Sequence, residues 1–160
     1  RFKCDWSSDV CSSDLEKAME QYVSLFERSG VKKVDRYTEG EGQPKGTVQH
    51  ASFILDGVEF MAIDSSFEHG FTFTEAISFQ INCETQEEID LFWERLSEGG
   101  EQVECGWLKD RYGVSWQVVP TILDELLANP DPVRGERMMK AMLQMKKLDI
   151  AQLEKAYYNA

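Results

Sequence analysis

Gly57-Val58-Glu59-Phe60-Met61-Ala62-Ile63 and, 56 residues later, Gly113-Val114-Ser115-Trp116-Gln117-Val118-Val119 are the stretches that decide the fold. Each opens at a turn, Asp56-Gly57 in the first and Tyr112-Gly113 in the second, and continues as an apolar-rich strand. Asp-Gly between two such runs signals a tight hairpin, because the favoured turn needs positive φ at both central residues. Upstream of each hairpin the chain carries a helix with the same apolar stripe. Met19, Tyr22, Val23 and Phe26 fall at i, i+3, i+4 and i+7, and Ile89, Phe92, Trp93 and Leu96 repeat that spacing 70 residues later. Two matches in the same order mark an internal repeat.

Working outward, the periodicity predicts a helix over 16–29 that stops at Gly30, and strands over 31–38, 47–55 and 58–64. The glycine-rich segment 39–46, with Pro44, lies between the first two strands and predicts a hairpin loop. A connector covers 65–75 and a strand 76–83. Thr85 with Glu88 three residues on forms a capping box for a helix that runs to Ser97 and ends at Gly99-Gly100. Residues 102–109 and 114–120 predict one further strand pair. Beyond Pro120 the pattern predicts a short helix over 121–128, a break at Asn129-Pro130-Asp131-Pro132, a Met-rich helix over 134–147 and a last helix from Asp149. The second half has a strand before its helix, so the first half should have one where residues 1–14 stand. That segment reads otherwise. The chain opens at Arg1, Ser-Ser-Asp occurs twice within 5–15, and neither helix nor strand periodicity is present. It is expected to be a non-native, adaptor-derived segment or a disordered arm. The expected organisation is one domain over 15–128, with repeat 1 at 15–64 and repeat 2 at 76–120, followed by a helical tail at 129–160 that packs on the domain or on a dimer. The fold class is α+β: two β-α-β-β-β modules forming a curved mixed sheet, plus C-terminal helices.

Composition narrows the partners. Apolar residues make up 42% of 160, enough for a core. Seventeen Lys and Arg stand against 29 Asp and Glu, a net charge of −12. Such a surface repels phosphate backbones and anionic lipid, so neither nucleic acid nor membrane is expected as a partner. No secretory leader or membrane-spanning run is legible. Cys4, Cys11, Cys83 and Cys105 form no Cys-x-x-Cys pair, which fits reduced thiols and a cytoplasmic location.

The motifs Glu75-Ala76-Ile77-Ser78-Phe79, Asn82-Cys83-Glu84-Thr85 and Cys105-Gly106-Trp107-Leu108-Lys109-Asp110, running into Gly113–Pro120, carry a family resemblance. From residue 16 onward the chain resembles the PhnB-like branch of the vicinal-oxygen-chelate superfamily, the branch labelled after a 3-demethylubiquinone-9 3-methyltransferase. The resemblance implies the paired β-α-β-β-β fold and a homodimer. In metal-using relatives of the glyoxalase type it implies a metal-binding Glu four residues after the turn glycine, where this chain has Gln117 and, in the first repeat, Met61. The His that opens the strand before the second helix corresponds to Ser78. An amide, a thioether and a hydroxyl are poor ligands for a divalent metal, so no metal and no other cofactor is expected.

Strand parity supplies a candidate pocket. If Phe79, Ile81 and Cys83 face the helix, then Ser78, Gln80 and Asn82 face the other way, and likewise Ser115 and Gln117 oppose Trp116 and Val118. Met61, Ser78, Gln80, Asn82, Cys105, Trp107, Ser115 and Gln117 are the expected ligand-binding residues. No catalytic residue is singled out. Cys105 near Lys109 has the composition of an activated nucleophile but no His placed as its base, and reads as a packed thiol. His50 has an ambiguous facing pattern, and His69 falls in a loop. The glycine-rich segment precedes a strand rather than a helix, which argues against a nucleotide- or S-adenosylmethionine-binding turn and so against methyl transfer. Met138, Met142, Met145 and Leu148 form a stripe that suits core packing or a dimer seam. Three functions remain: a metal-independent protein binding a small polar molecule, or a weak enzyme, as a homodimer; a metal-dependent lyase, isomerase or dioxygenase; and an interaction module acting through the Met-rich tail. In the third, truncation after Asn129 would spare small-molecule binding.

Overall fold

The structure, a computed structural model, describes residues 2–6, 13–40, 45–64, 70–128 and 131–158. Cys11, His69 and the centre of the glycine-rich loop lie outside the described residues. The chain divides into two units, Arg1–Thr72 and Phe73–Ala160.

The first unit runs β1 (Phe2–Trp6), α1 (Ser13–Leu25), β2 (Gly30–Arg36), β3 (Val48–Leu55) and β4 (Val58–Asp64). Its sheet has the order β1-β4-β3-β2, with β1 parallel to β4 and the other pairs antiparallel. The hairpin between β3 and β4 turns at Asp56 and Gly57 with φ of 45° and 81°, as Asp-Gly predicts. Residues 2–6, expected to lack regular structure, form β1 in register with β4 from Phe2 opposite Phe60 to Trp6 opposite Asp64. The reason is topological: β4 offers a free ladder edge, and backbone pairing asks little of the side chains. α1 starts at Ser13, three residues before the predicted start, and ends at Leu25. Its Leu15, Ala18, Met19 and Tyr22 are buried, as are Ala51, Phe53, Leu55 and Ala62 of the sheet.

The second unit repeats the plan with β5 (Phe79–Cys83), α2 (Gln86–Ser97), β6 (Glu101–Gln102), β7 (Trp107–Lys109) and β8 (Ser115–Pro120). Its order, β5-β8-β7-β6, again has one parallel pair, β5 with β8. Each unit is therefore a four-stranded mixed sheet with the same strand order, which is the predicted repeat. Thr85 accepts from Glu88 N at 3.2 Å, and the Glu88 carboxylate reaches the Glu84 amide at 2.6 Å. The capping box is present, with its return bond one residue further out than the pattern states. The predicted strand 102–109 is in fact two short strands. β6 and β7 pair antiparallel around a turn at 103–106, where Cys105 and Gly106 have φ of 60° and 82°. Gly106 is required there: a Cβ would stand 2.7 Å from the Val118 carbonyl.

Asp110 holds the β7–β8 hairpin. Only 3% exposed, its carboxylate accepts from the amides of Tyr112 (2.9 Å) and Val114 (3.0 Å) through one oxygen, and from the Trp116 indole (2.8 Å) through the other. Trp116 lies against Phe79, ring centroids 5.3 Å apart, on the α2 side of the sheet.

The tail belongs to the second unit. After α3 (Ile122–Ala128) come α4 (Pro132–Met142) and α5 (Ile150–Tyr158). Asp131 caps α4, accepting from Val133 and Arg134 amides, with Pro132 in the first turn, so the Asp-Pro pair begins a helix where the sequence suggested only a break. α4 stops at Met142, five residues before the predicted end. Met138 is fully buried with Leu123, Leu126, Leu148, Leu153 and Tyr157, and Met142 and Met145 pack on that cluster. The methionine stripe is core. The connector between α4 and α5 is clamped: the amides of Cys105 and Gly106 donate to the carbonyls of Met145 (2.7 Å) and Lys146 (2.8 Å). The Gln86 side chain bonds both the Leu148 carbonyl and the Ile150 amide, and Lys147 reaches Asp90 at 2.5 Å. Truncation after Asn129 would remove four of the six residues of that cluster, Met138, Leu148, Leu153 and Tyr157.

Two outcomes follow for stability. Asp110→Ala leaves a buried indole N–H and two amides without their acceptor and should cost about 3 kcal/mol in a urea melt; a loss under about 1 kcal/mol would show the hairpin stands without it. A chain ending at Ala128 should melt roughly 10 °C or more lower, because Leu123 and Leu126 lose their cover.

Candidate functional site

The face of the second sheet turned away from α2 is set by register. Gln80 stands beside Gln117 across β5 and β8, and Trp107 stands opposite Gln117 across β7 and β8. Lys109 pairs with Ser115, and Asn82 with Val119. The alternate set, Ile81, Cys83, Leu108, Trp116 and Val118, is buried. The parity expected for β5 and β8 is seen in the burial of Ile81, Cys83, Trp116 and Val118, although Ser115 on the other face is buried as well.

The polar groups on it, Ser115 apart, are paired with one another. Gln117 Nε2 donates to Ser78 Oγ at 2.8 Å, and Gln80 Nε2 donates to Asn82 Oδ1 at 2.7 Å. Lys109 forms an ion pair with Glu75. That contact holds the Glu75 carboxyl below the usual carboxylate range and pushes Lys109 up, so the pair stays charged through neutral pH and is lost only as pH falls through the depressed Glu75 value. Ser115, 3% exposed, has no hydrogen-bond partner for its Oγ among the described residues. Trp107 is half-buried and adds an aromatic wall beside Gln117.

Gln117 and Ser78, the two positions in this unit that the resemblance sets against metal ligands, thus meet and satisfy each other. Met61 stands on the first sheet, half-buried and opposite Ser52. Neutral amide, hydroxyl and thioether do not fit a divalent ion. Among the described residues no three His, Cys, Asp or Glu are grouped to hold a metal.

Cys105 departs from the expectation. It sits in the β6–β7 turn rather than on a strand, and its thiol points to the tail, 3.6 Å from the Met142 carbonyl. The strand parity that aimed it at the pocket fails because the turn intervenes. It is a packed thiol. Cys83, also free, is fully buried, and burial with the nearby Glu88 charge pushes its thiol up to about 12. The sequence reading missed the Lys109–Glu75 pair, because 34 residues separate partners that only the sheet brings together. The glycine-rich segment joins β2 to β3. Tyr37 donates to Thr47 and Gly46 to Tyr37, closing a hairpin and not a strand-to-helix phosphate turn. No helix among the described residues is long and apolar enough to cross a membrane.

Comparison with known proteins agrees with this fold. The 3-demethylubiquinone-9 3-methyltransferase family matches residues 8–119. A PhnB protein from Bacillus cereus, described as a candidate 3-demethylubiquinone-9 3-methyltransferase, is 40% identical over 74% of this chain and 96% of its own, with a TM-score of 0.67. Protein PA1353 from Pseudomonas aeruginosa (16% identity, 74% and 93% covered, TM-score 0.55) shares the fold. So does the fosfomycin resistance protein FosX from Mesorhizobium loti (10%, 80% and 94%, TM-score 0.52). Among curated proteins the chain has no match.

Thiol labelling tests the burial pattern. A maleimide at pH 8 should leave Cys83 unmodified in the folded protein and modify it only in denaturant; rapid native labelling of Cys83, read by peptide mass, would contradict the packing described.

Proposed function

The chain belongs to the 3-demethylubiquinone-9 3-methyltransferase family of PhnB-like proteins and has the vicinal-oxygen-chelate fold, and on that premise we propose that it binds a small, uncharged polar molecule without a metal ion. The observation that carries this reading is the Gln117–Ser78 hydrogen bond. It occupies the place of two metal ligands with a neutral pair that a ligand can open at a cost of about 1 kcal/mol. Gln80, Asn82 and Ser115 extend the hydrogen-bonding surface, and Trp107 offers a ring against which a planar ligand can lie. The only charged pair on the face, among the described residues, is Lys109 with Glu75, which is self-neutralised. A net charge of −12 gives anionic ligands no general attraction.

The reading is one of binding, or of weak catalysis, rather than of methyl transfer, since the glycine-rich segment joins two strands through a hairpin and does not lead from a strand into a helix. It extends to a homodimer in the reducing cytoplasm, supported by the family's dimeric habit and by the free thiols of Cys83 and Cys105. Sedimentation of the purified protein tests the dimer.

The central test has two arms. Elemental analysis should find no stoichiometric metal, and no divalent ion should give a stabilisation that a chelator reverses. In a thermal-shift screen of uncharged polar compounds, any hit should lose its shift in Gln117→Leu while the unliganded variant melts within a few degrees of the parent. A tightly bound metal, or a hit whose shift survives Gln117→Leu, overturns the reading.

A further inference from the structure

The first sheet carries a second polar arrangement that the reading of the second sheet does not use. On β2, Lys33 and Asp35 are two residues apart and share a face, and their register partners on β3 are Ser52 and His50. β4 continues both rows, with Met61 opposite Ser52 and Ile63 opposite His50. The other parity of β3, Ala51, Phe53 and Leu55, is buried. His50 therefore stands on the face that also bears Met61, which settles the facing that its sequence left ambiguous.

The Asp35 carboxylate is shared. Its Oδ2 lies 4.0 Å from His50 Nδ1 and 2.7 Å from Lys33 Nζ. Glu59, paired with Lys32, is the further charged group on the same face of β4. With Nδ1 turned to the carboxylate, Nε2 is on the opposite edge of the ring, and the side chain keeps 30% exposure. A separation of 4.0 Å exceeds a hydrogen bond. A carboxylate facing Nδ1, with Nε2 on the far edge of the ring, is the relative placement that an imidazole base and an orienting carboxylate require.

We propose that His50 is a general base on this face, with Asp35 as its positioning residue, acting on a C–H or O–H acid seated over Ser52 and Met61. The proton passes to Nε2, the electrons of the broken bond stay with the ligand, and the imidazolium returns the proton to solvent or to the product. The inference rests on the first unit alone, so it stands or falls separately from the Gln117 site.

The test uses the whole chain and nitrobenzisoxazole as the probe. A base removes its carbon-bound proton, the C–H electrons form a nitrile, the N–O bond breaks and a coloured phenolate is released. His50→Gln should lower the protein-dependent rate about tenfold or more, and His69→Gln should leave it unchanged. Carbethoxylation of His50 in the unsubstituted protein, reversed by hydroxylamine, should remove and restore the same rate, which separates loss of the base from loss of the fold. Asp35→Asn should lower the rate about threefold and shift the ¹⁵N signature of neutral His50 away from the Nδ1–H tautomer, with Asp35→Glu restoring both. A rate indifferent to His50→Gln or to carbethoxylation overturns the base. A rate and tautomer indifferent to Asp35→Asn overturn the pairing.

Discussion

A buried carboxylate without donors is among the most expensive groups a small domain can hold, and Asp110 is held by three. Two of its bonds close the turn, and the third fixes the Trp116 indole on the α2 side of the sheet. Because strand residues alternate, that single choice of side for Trp116 also decides the side of Gln117. A slip of one residue in β8 would put Gln117 under the helix and Trp116 on the open face. The whole arrangement of Gln80, Gln117 and Trp107 across three strands depends on a register that Asp110 secures from one end. The clamp of Cys105 and Gly106 on the tail carbonyls secures it from the other.

What could be read from the sequence was what obeys a short period. The hairpin at Asp56-Gly57, the stripes of α1 and α2, and the parity of β5 and β8 follow from local rules and are found in the structure. The break between β6 and β7 was not legible, because Cys105 at φ 60° carries no local signal: cysteine is not a residue that favours the left-handed region, and Gly106 alone is ambiguous. The end of α4 was not legible either. Met145 and Leu148 continue the apolar spacing past Met142, but they serve a connector held by bonds to the β6–β7 turn. β1 was hidden for a different reason, since its place comes from the ladder of β4 and not from its own pattern. The parity of the strands placed Gln117, Ser78, Gln80 and Asn82 on one face, but the sequence could not show that they pair with one another, nor that His50 faces Asp35.

The two units share a strand order and differ in the chemistry written on it. At the centre of the second sheet stand amides, hydroxyls and an indole. At the corresponding face of the first stand Lys33, Asp35 and His50, all ionisable, with Ser52 and Met61 continuing the row of Lys33. A repeated topology supplies equivalent positions, and each copy is then free to diverge, because the face away from the helix contributes little to the core.

The Gln at position 117 is informative for what a Glu would require there. A carboxylate beside the nearly buried Ser115 and the half-buried Trp107 would be partly desolvated and would need a cation, either a metal ion or a basic side chain, to remain charged. The nearest basic group in register, Lys109, is already committed to Glu75. Glutamine keeps the size and the hydrogen-bonding capacity of glutamate and removes the charge, so the position stays polar, satisfied by Ser78, with no cation needed. In a chain already at −12, glutamine at this position adds no further negative charge. On the reading proposed above, such a face recognises a molecule by shape and neutral hydrogen bonds, for which preorganised amides and hydroxyls lose little solvation on binding.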